Sequence, residues 1–271
     1  MTSIAEKRAK FRALHQSGCF VLPNPWDVGS ARLLQYLGFE ALASTSSGHA
    51  WTMGKADYAP RLEDTLAHLT QLCAATDLPV NADFESGFAD APEGVAANVT
   101  RAIATGMAGL SIEDTRVEGS GLHDKAFAVE RIKAARGAID ASGRDVLLVA
   151  RAEILLHDNR RVSEAIDKLV AFAQVGADCL YAPGLTKRED IIAVVKAVAP
   201  LPVNMLMWGG GYTVQELADL GVRRISIGGA LARVTWGAML KVAEEIMTGS
   251  FDGLATGAPG KTLNGIFGGF R

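Results

Sequence analysis

Three short apolar runs end in side chains that could do chemistry: PVNADFE in Asp83 and Glu85, GLSIED in Glu113 and Asp114, and VLLVARAE in Arg151 and Glu153. Short apolar runs of this kind read as buried strands, and neighbouring parallel strands lie about 4.8 Å apart. Carboxylates at the tips of consecutive strands therefore converge. Clustered anions repel unless one is protonated or a cation joins them. A hard divalent ion solves the problem, and Mg2+ keeps several waters when only one or two carboxylates reach it. The expected arrangement is Mg2+, with Mn2+ as the alternative ion, bound directly by Asp83, while Glu85 and Glu113 hold its waters. The competing reading has these acids capping helices or pairing with Arg and Lys around a rim.

A guanidinium that ends an apolar run needs a carboxylate, from the protein or from a ligand. Arg151 is expected to grip a substrate carboxylate, with pairing to Glu153 or Glu113 as the structural alternative. Thr45, Ser46 and Ser47, just before Gly48, offer hydroxyls and successive N–H groups. Such a turn can cradle an anion, although Ser-rich turns are common. Asn204, inside PVNMLM, is a further candidate substrate contact.

These residues need a scaffold that brings strand tips together. Eight apolar runs are candidate strands: Cys19–Leu22, Ala41–Thr45, Pro79–Asp83, Gly109–Glu113, Val146–Arg151, Cys179–Ala182, Pro202–Met207 and Arg224–Gly228. Their near-continuous hydrophobicity suits parallel strands buried on both faces. Helical stretches alternate with them: Arg61–Thr76, Glu93–Thr105, Ala128–Ser142, Ser163–Val175, Lys187–Val198 and Val214–Leu220. Eight strand–helix repeats predict an α/β fold, the closed (β/α)8 TIM barrel, with chemistry at the carboxyl ends of the strands. A doubly wound open sheet is the alternative, but Leu22–Ser30 carries no G-x-G-x-x-G fingerprint. The 271 residues, 49% of them hydrophobic, are read as a single domain. The Gly-rich segment 248–271 is read as a surface or subunit-contact tail.

The net charge of -3, with scattered Lys and Arg, gives no basis for a nucleic-acid or acidic-membrane partner. No apolar run is long enough to span a bilayer. Cys19, Cys73 and Cys179 are far apart, and the start, MTSIAEKRAKFRALH, has no apolar signal core. Reduced thiols in a cytoplasmic protein are the expectation.

The segments PNPWDVGSARLLQYLGFEALASTSSG, LPVNADFESGF, AGLSIEDT and LLVARAE, in this order, resemble the isocitrate lyase / phosphoenolpyruvate mutase superfamily. The resemblance implies a (β/α)8 barrel, Mg2+, and a small α-keto or 2-hydroxy carboxylate substrate. It also implies a homotetramer, a dimer of dimers, in which a C-terminal helix swaps between subunits. Asp83 matches the direct metal ligand of that family. Glu85 stands where many members have Asp, and Glu113 matches the Glu of the E-D pair. Arg151 matches the substrate-gripping arginine, and Thr45, Ser46 and Ser47 match the substrate turn. Asp57 matches an acid that helps close the metal shell.

One departure matters. Isocitrate and methylisocitrate lyases carry a K-(K/R)-C-G-H loop after the fourth strand, whose Cys supplies the acid/base. The loop here, Thr115–Asp124, has no Cys, and it lacks the Lys and Asn of the phosphonate mutases. The chain therefore resembles the short, phosphonomutase-like members. The implied chemistry is cleavage or formation of a C–C or C–P bond through a metal-stabilised enolate, such as oxaloacetate decarboxylation or 2-hydroxy acid lysis. Asp57, Glu118 or His123 could replace the missing base, and Arg116–Lys125 has the glycines and polarity of a gate.

Two other functions compete. Gly209–Gly211 and Gly228-Gly229 fall where many barrels bind phosphate. A non-catalytic keto-acid-binding protein would also keep the pocket and lack the base.

Overall fold

The computed structural model describes residues 2–270. In chain order the elements are α1 (Ile4–Leu14), β1 (Phe20–Leu22), α2 (Val28–Tyr36), β2 (Leu42–Ala43), α3 (Ser46–Thr52), α4 (Leu62–Ala75), β3 (Val80–Asp83), α5 (Pro92–Ile103), β4 (Gly109–Glu113) and α6 (Lys125–Ala141). They continue with β5 (Leu147–Arg151), α7 (Ile154–His157), α8 (Val162–Gln174), β6 (Cys179–Tyr181), α9 (Arg188–Val198), β7 (Val203–Leu206), α10 (Val214–Asp219), β8 (Arg224–Ser226), α11 (Ala230–Met247) and α12 (Gly260–Gly268).

Eight parallel strands run in the order β1-β8-β7-β6-β5-β4-β3-β2. Across the remaining seam the Ala43 N–H donates to the Pro23 carbonyl at 3.1 Å, so the sheet is nearly closed into a TIM-type barrel. Each strand faces two ways, because successive side chains alternate. The outward set, including Ala82, Leu110, Ile112, Leu148, Leu180, Met205 and Ile225, packs with the helices as the main core.

The inward set mixes apolar side chains, among them Leu22, Leu147, Val149 and Cys179, with polar ones, where barrels are ordinarily filled by branched aliphatics. In register around the barrel stand Asp83 beside Ser111, Glu113 beside Arg151, Arg151 beside Tyr181, Tyr181 beside Asn204, and Asn204 beside Arg224. Helix α1 closes the amino-terminal end: Phe11 is fully buried against His15 and Phe20, with ring centroids at 4.6 and 6.5 Å. A Cβ on Gly109 would lie 2.7 Å from the Phe11 ring, so this plug requires glycine there.

One segment differs from the sequence expectation. Thr45–Gly48, read as a turn, begins helix α3, where the Thr45 hydroxyl accepts from the Gly48 N–H at 3.3 Å. Ser and Gly are weak helix formers, so propensity hid this short helix. The expected C-terminal helix is α12, which lies against α2 of the same chain, with the Arg32 guanidinium 5.4 Å from the Phe270 ring centre.

Candidate active site

A cavity of about 170 Å3 opens at the carboxyl ends of the strands. Thr45, Ser46, Ser47, Asp57, Asp83, Glu113 and Arg151 line it. Glu85 and Asn204 lie behind its wall, both buried.

Arg151 is the hub. Its Nη1 lies 2.9 Å from Oδ1 of Asp83 and 3.0 Å from Oε1 of Glu113, and its Nε donates to Oε1 of Glu153 at 2.8 Å. Its guanidinium carbon is 4.9 Å from the Tyr181 ring centre. The alternative in which Arg151 pairs with Glu113 and Glu153 is thus present in this ligand-free arrangement. The surrounding carboxylates raise its pKa well beyond the ordinary arginine value despite burial.

Asp83, Glu113 and Asp114 are held by neighbours. The Ser46 N–H donates to Oδ2 of Asp83 at 2.9 Å. Oε2 of Glu113 accepts from the Tyr58 hydroxyl at 3.0 Å and the Thr115 hydroxyl at 2.8 Å. The Glu153 N–H donates to Oδ1 of Asp114, whose other oxygen takes the buried Lys168 ammonium. Arg131, with no solvent exposure, donates to the carbonyls of Glu113, Ala89 and Asp90 at 2.8, 3.1 and 3.1 Å, and also to that of Ser86. It ties the loop after β3 to the tip of β4. Glu85 and Tyr58 adopt φ of 46° and 63°, left-handed conformations that cost energy in non-glycine residues and gather at functional sites.

The acids outnumber the base. Burial, then repulsion from Asp83, Glu113 and Asp57, pushes the Glu85 carboxyl up to about 9. Burial also raises Glu113 and Glu153, while Arg151 opposes both rises. Asp57 lines the cavity with part of its surface open to solvent, and desolvation of its carboxyl, then Asp83, raises its pKa. Among the described residues no three His, Cys, Asp or Glu side chains form a ready metal cage. The donors nevertheless fit a hard cation: they are all oxygens, they carry surplus negative charge, and each Asp83 oxygen retains a lone pair beyond its one partner.

Other expected residues lie elsewhere. His123 is buried, with Nε2 3.1 Å from Oδ1 of Asp90, and it lines a neighbouring cavity with Arg116 and Lys168. Glu118 is exposed on the loop and does not line the central cavity. That loop is folded down: Arg116 N–H donates to the Gly121 carbonyl at 2.7 Å, and Gly119 sits against the Tyr58 ring. Gly209–Gly211 line a separate hollow. The N–H groups of Ile227 and Gly228, which a phosphate at β8 would need, both donate to Oδ1 of Asn24 at 2.9 Å. Sequence reasoning missed Tyr58, Tyr181, Arg224, Asn81, Ser111 and Ser226 as cavity walls. The last three recur two residues from Asp83, Glu113 and Arg224, which is the strand period.

A profile of the family described as phosphoenolpyruvate phosphomutase matches residues 11–247. The chain belongs to this family, within the PEP mutase/isocitrate lyase superfamily. A solved structure from Burkholderia cenocepacia J2315, assigned no more closely than lyase/mutase, superposes on this family member with a TM-score of 0.94 at 44% identity, covering 98% of this chain and 97% of that one. Oxaloacetate acetylhydrolase, solved with its product oxalate, gives a TM-score of 0.87 at 25% identity over 99% and 96% of the two chains. The oxaloacetate decarboxylase of Paraburkholderia xenovorans (strain LB400) is 29% identical over 251 residues, 89% of this chain and 81% of that protein. The family is one of C–C and C–P bond lyases and mutases, and no helix among the described residues is long and apolar enough to cross a membrane.

Proposed function

We infer that this protein is a Mg2+-dependent enzyme that cleaves or forms a C–C or C–P bond in a small α-keto or 2-hydroxy carboxylate. Oxaloacetate decarboxylation and 2-hydroxy acid lysis are the reactions in view. The observation that carries this reading is the surplus of buried carboxylates around one guanidinium at the cavity mouth. The relatives that act on oxaloacetate support the substrate class.

Asp83 would hold Mg2+ directly, with Glu85 and Glu113 acting through waters and Asp57 completing the shell. Bound there, the ion supplies positive charge to a keto oxygen and its adjacent carboxylate as negative charge builds on them. Arg151 turns from its acids to the substrate carboxylate, which it can meet with two parallel N–H donors. Ser46 and Ser47 hydroxyls orient that carboxylate from the opposite wall. Asp57, open in part to solvent and with a raised pKa, is placed to take and return a proton. The folded loop 116–125 and Tyr58 cover one side and limit water. The active form would be a homotetramer: α11 buries only Ala232 within one chain, and its apolar face includes Val234, Met239 and Leu240.

The test is a substrate panel of oxaloacetate, 2-methylisocitrate, isocitrate and phosphonopyruvate, assayed with Mg2+ and with chelator. Turnover of at least one that is abolished by chelator supports the reading. Tight binding without turnover would instead indicate a keto-acid-binding protein.

A further inference from the structure

Arg224 projects from β8 into the barrel and lines the same cavity as Arg151, yet it is only 2% exposed. Among the described residues no carboxylate lies within ion-pair distance of it. Its hydrogen-bond partners are neutral: Nε donates to Oδ1 of Asn204 at 2.9 Å, and Nη1 lies 3.4 Å from Oδ1 of Asn81 and 3.4 Å from Nε2 of His15. Nδ1 of His15 is taken by the Phe11 carbonyl at 2.8 Å, which leaves Nε2 of the neutral ring as an acceptor. The Phe11 ring centre is 5.8 Å from the guanidinium.

A guanidinium remains protonated in proteins, and a buried charge calls for a counter-charge. Every acid of this site sits at the other end, gathered on Arg151. Burial is the main influence against the Arg224 charge; only the Cys179 thiol and the Tyr181 phenol favour it, Arg151 opposes it, and no carboxylate contributes. The cavity that both arginines line also carries Asn81, Ser111 and Ser226, with Tyr181 between the two in register. The cavity thus offers one cation near its mouth and a second, without an acid, toward its floor.

We propose that Arg224, with Asn81 and Ser226, forms an anion subsite at the cavity floor that receives the distal carboxylate of a dicarboxylic substrate whose keto or hydroxy carboxylate end is held at Arg151. This rests on the proposed function for the mouth of the site and narrows it: the substrate is a short diacid, and monocarboxylates of the same head group are poor ligands.

Malate and lactate share the 2-hydroxy carboxylate head and differ by the distal carboxylate. Their binding to the full chain with Mg2+ present is read by calorimetry or by fluorescence of Trp208, which lines the cavity. A charge-assisted hydrogen bond predicts malate tighter than lactate by about 10- to 100-fold in the wild type. Arg224→Gln should bring that ratio to near one. Because a buried arginine can be needed for folding, Asn204→Asp is the second variant. It places a near-isosteric carboxylate against Nε of Arg224, and it should keep or raise the Tm while also erasing the malate preference. Equal binding of malate and lactate to the wild type overturns the subsite and leaves the mouth reading intact. Failure of both ligands to bind overturns both. A malate preference that survives in Asn204→Asp also overturns it. Chloride binding to the wild type and not to Arg224→Gln, with no malate preference, would make the floor a halide site and overturn the diacid assignment.

Discussion

Ser46, at the start of α3, donates its backbone N–H to Oδ2 of Asp83, at the tip of β3, over 2.9 Å. The contact joins the substrate-turn segment to the expected metal ligand. It fixes one carboxylate oxygen while Arg151 holds the other. Ser46, Asp83 and Arg151 are therefore coupled, and perturbing one should be felt at the others.

Asp83→Asn keeps the shape and removes the charge. Turnover of the preferred substrate should fall by a factor on the order of 10²–10³, as when a group stabilising developing charge is lost. Circular dichroism and Tm should show a folded protein. A variant with wild-type kcat would remove Asp83 from the site.

Arg151→Lys keeps a positive charge and loses the planar fork. KM should rise by about 10- to 100-fold, with a smaller change in kcat. An unchanged KM would make Arg151 a purely structural hub for Asp83, Glu113 and Glu153.

Lys168 and Asp114 form a buried pair behind Glu153. Removing one partner strands the other in the interior, which costs about 3–5 kcal/mol. Lys168→Met should therefore lower stability by that order in urea unfolding and also reduce activity, because Asp114 positions the Glu153 backbone. A change within about 0.5 kcal/mol, typical of surface sites, would contradict the account.

His15 and His68 give a pH-dependent stability. Burial holds both in the neutral form, with pKa values lowered from about 6.5 to about 3. Between these values the unfolded chain binds more protons than the folded one, so stability rises with pH. The contribution is complete above pH 6.5 and is lost as the pH falls toward 3. At pH 5 each histidine should cost roughly 2 kcal/mol. Urea midpoints at pH 7.5 and pH 5 should differ less in His68→Leu than in the wild type; equal differences would show that His68 is not buried neutral.

Much of this architecture could be read from the sequence, because buried parallel strands leave uninterrupted apolar runs and their ends announce themselves by charge. Asp83, Glu113 and Arg151 were visible for that reason, and they meet at one mouth. Lys168 was not, since its partner lies 54 residues away on another element. Arg224 was hidden beside Arg223: two adjacent arginines look alike on paper, and only the strand's alternation sends one inward. Tyr58 was hidden by its left-handed backbone, which aims its hydroxyl at Glu113 in a way no pattern of residue types encodes. His123 and Glu118 looked chemical by type, but the loop folds so that neither faces the central cavity.

The central claim is that the carboxylates at the barrel mouth hold a divalent cation through Asp83. Titrating the metal-free protein with Mn2+ and following the free-ion signal by electron paramagnetic resonance tests this without any assay of turnover. The account predicts one Mn2+ bound per chain, displaced by Mg2+, and no such binding in Asp83→Asn. A wild-type protein that leaves Mn2+ free, or an Asp83→Asn variant that binds it equally well, would contradict it.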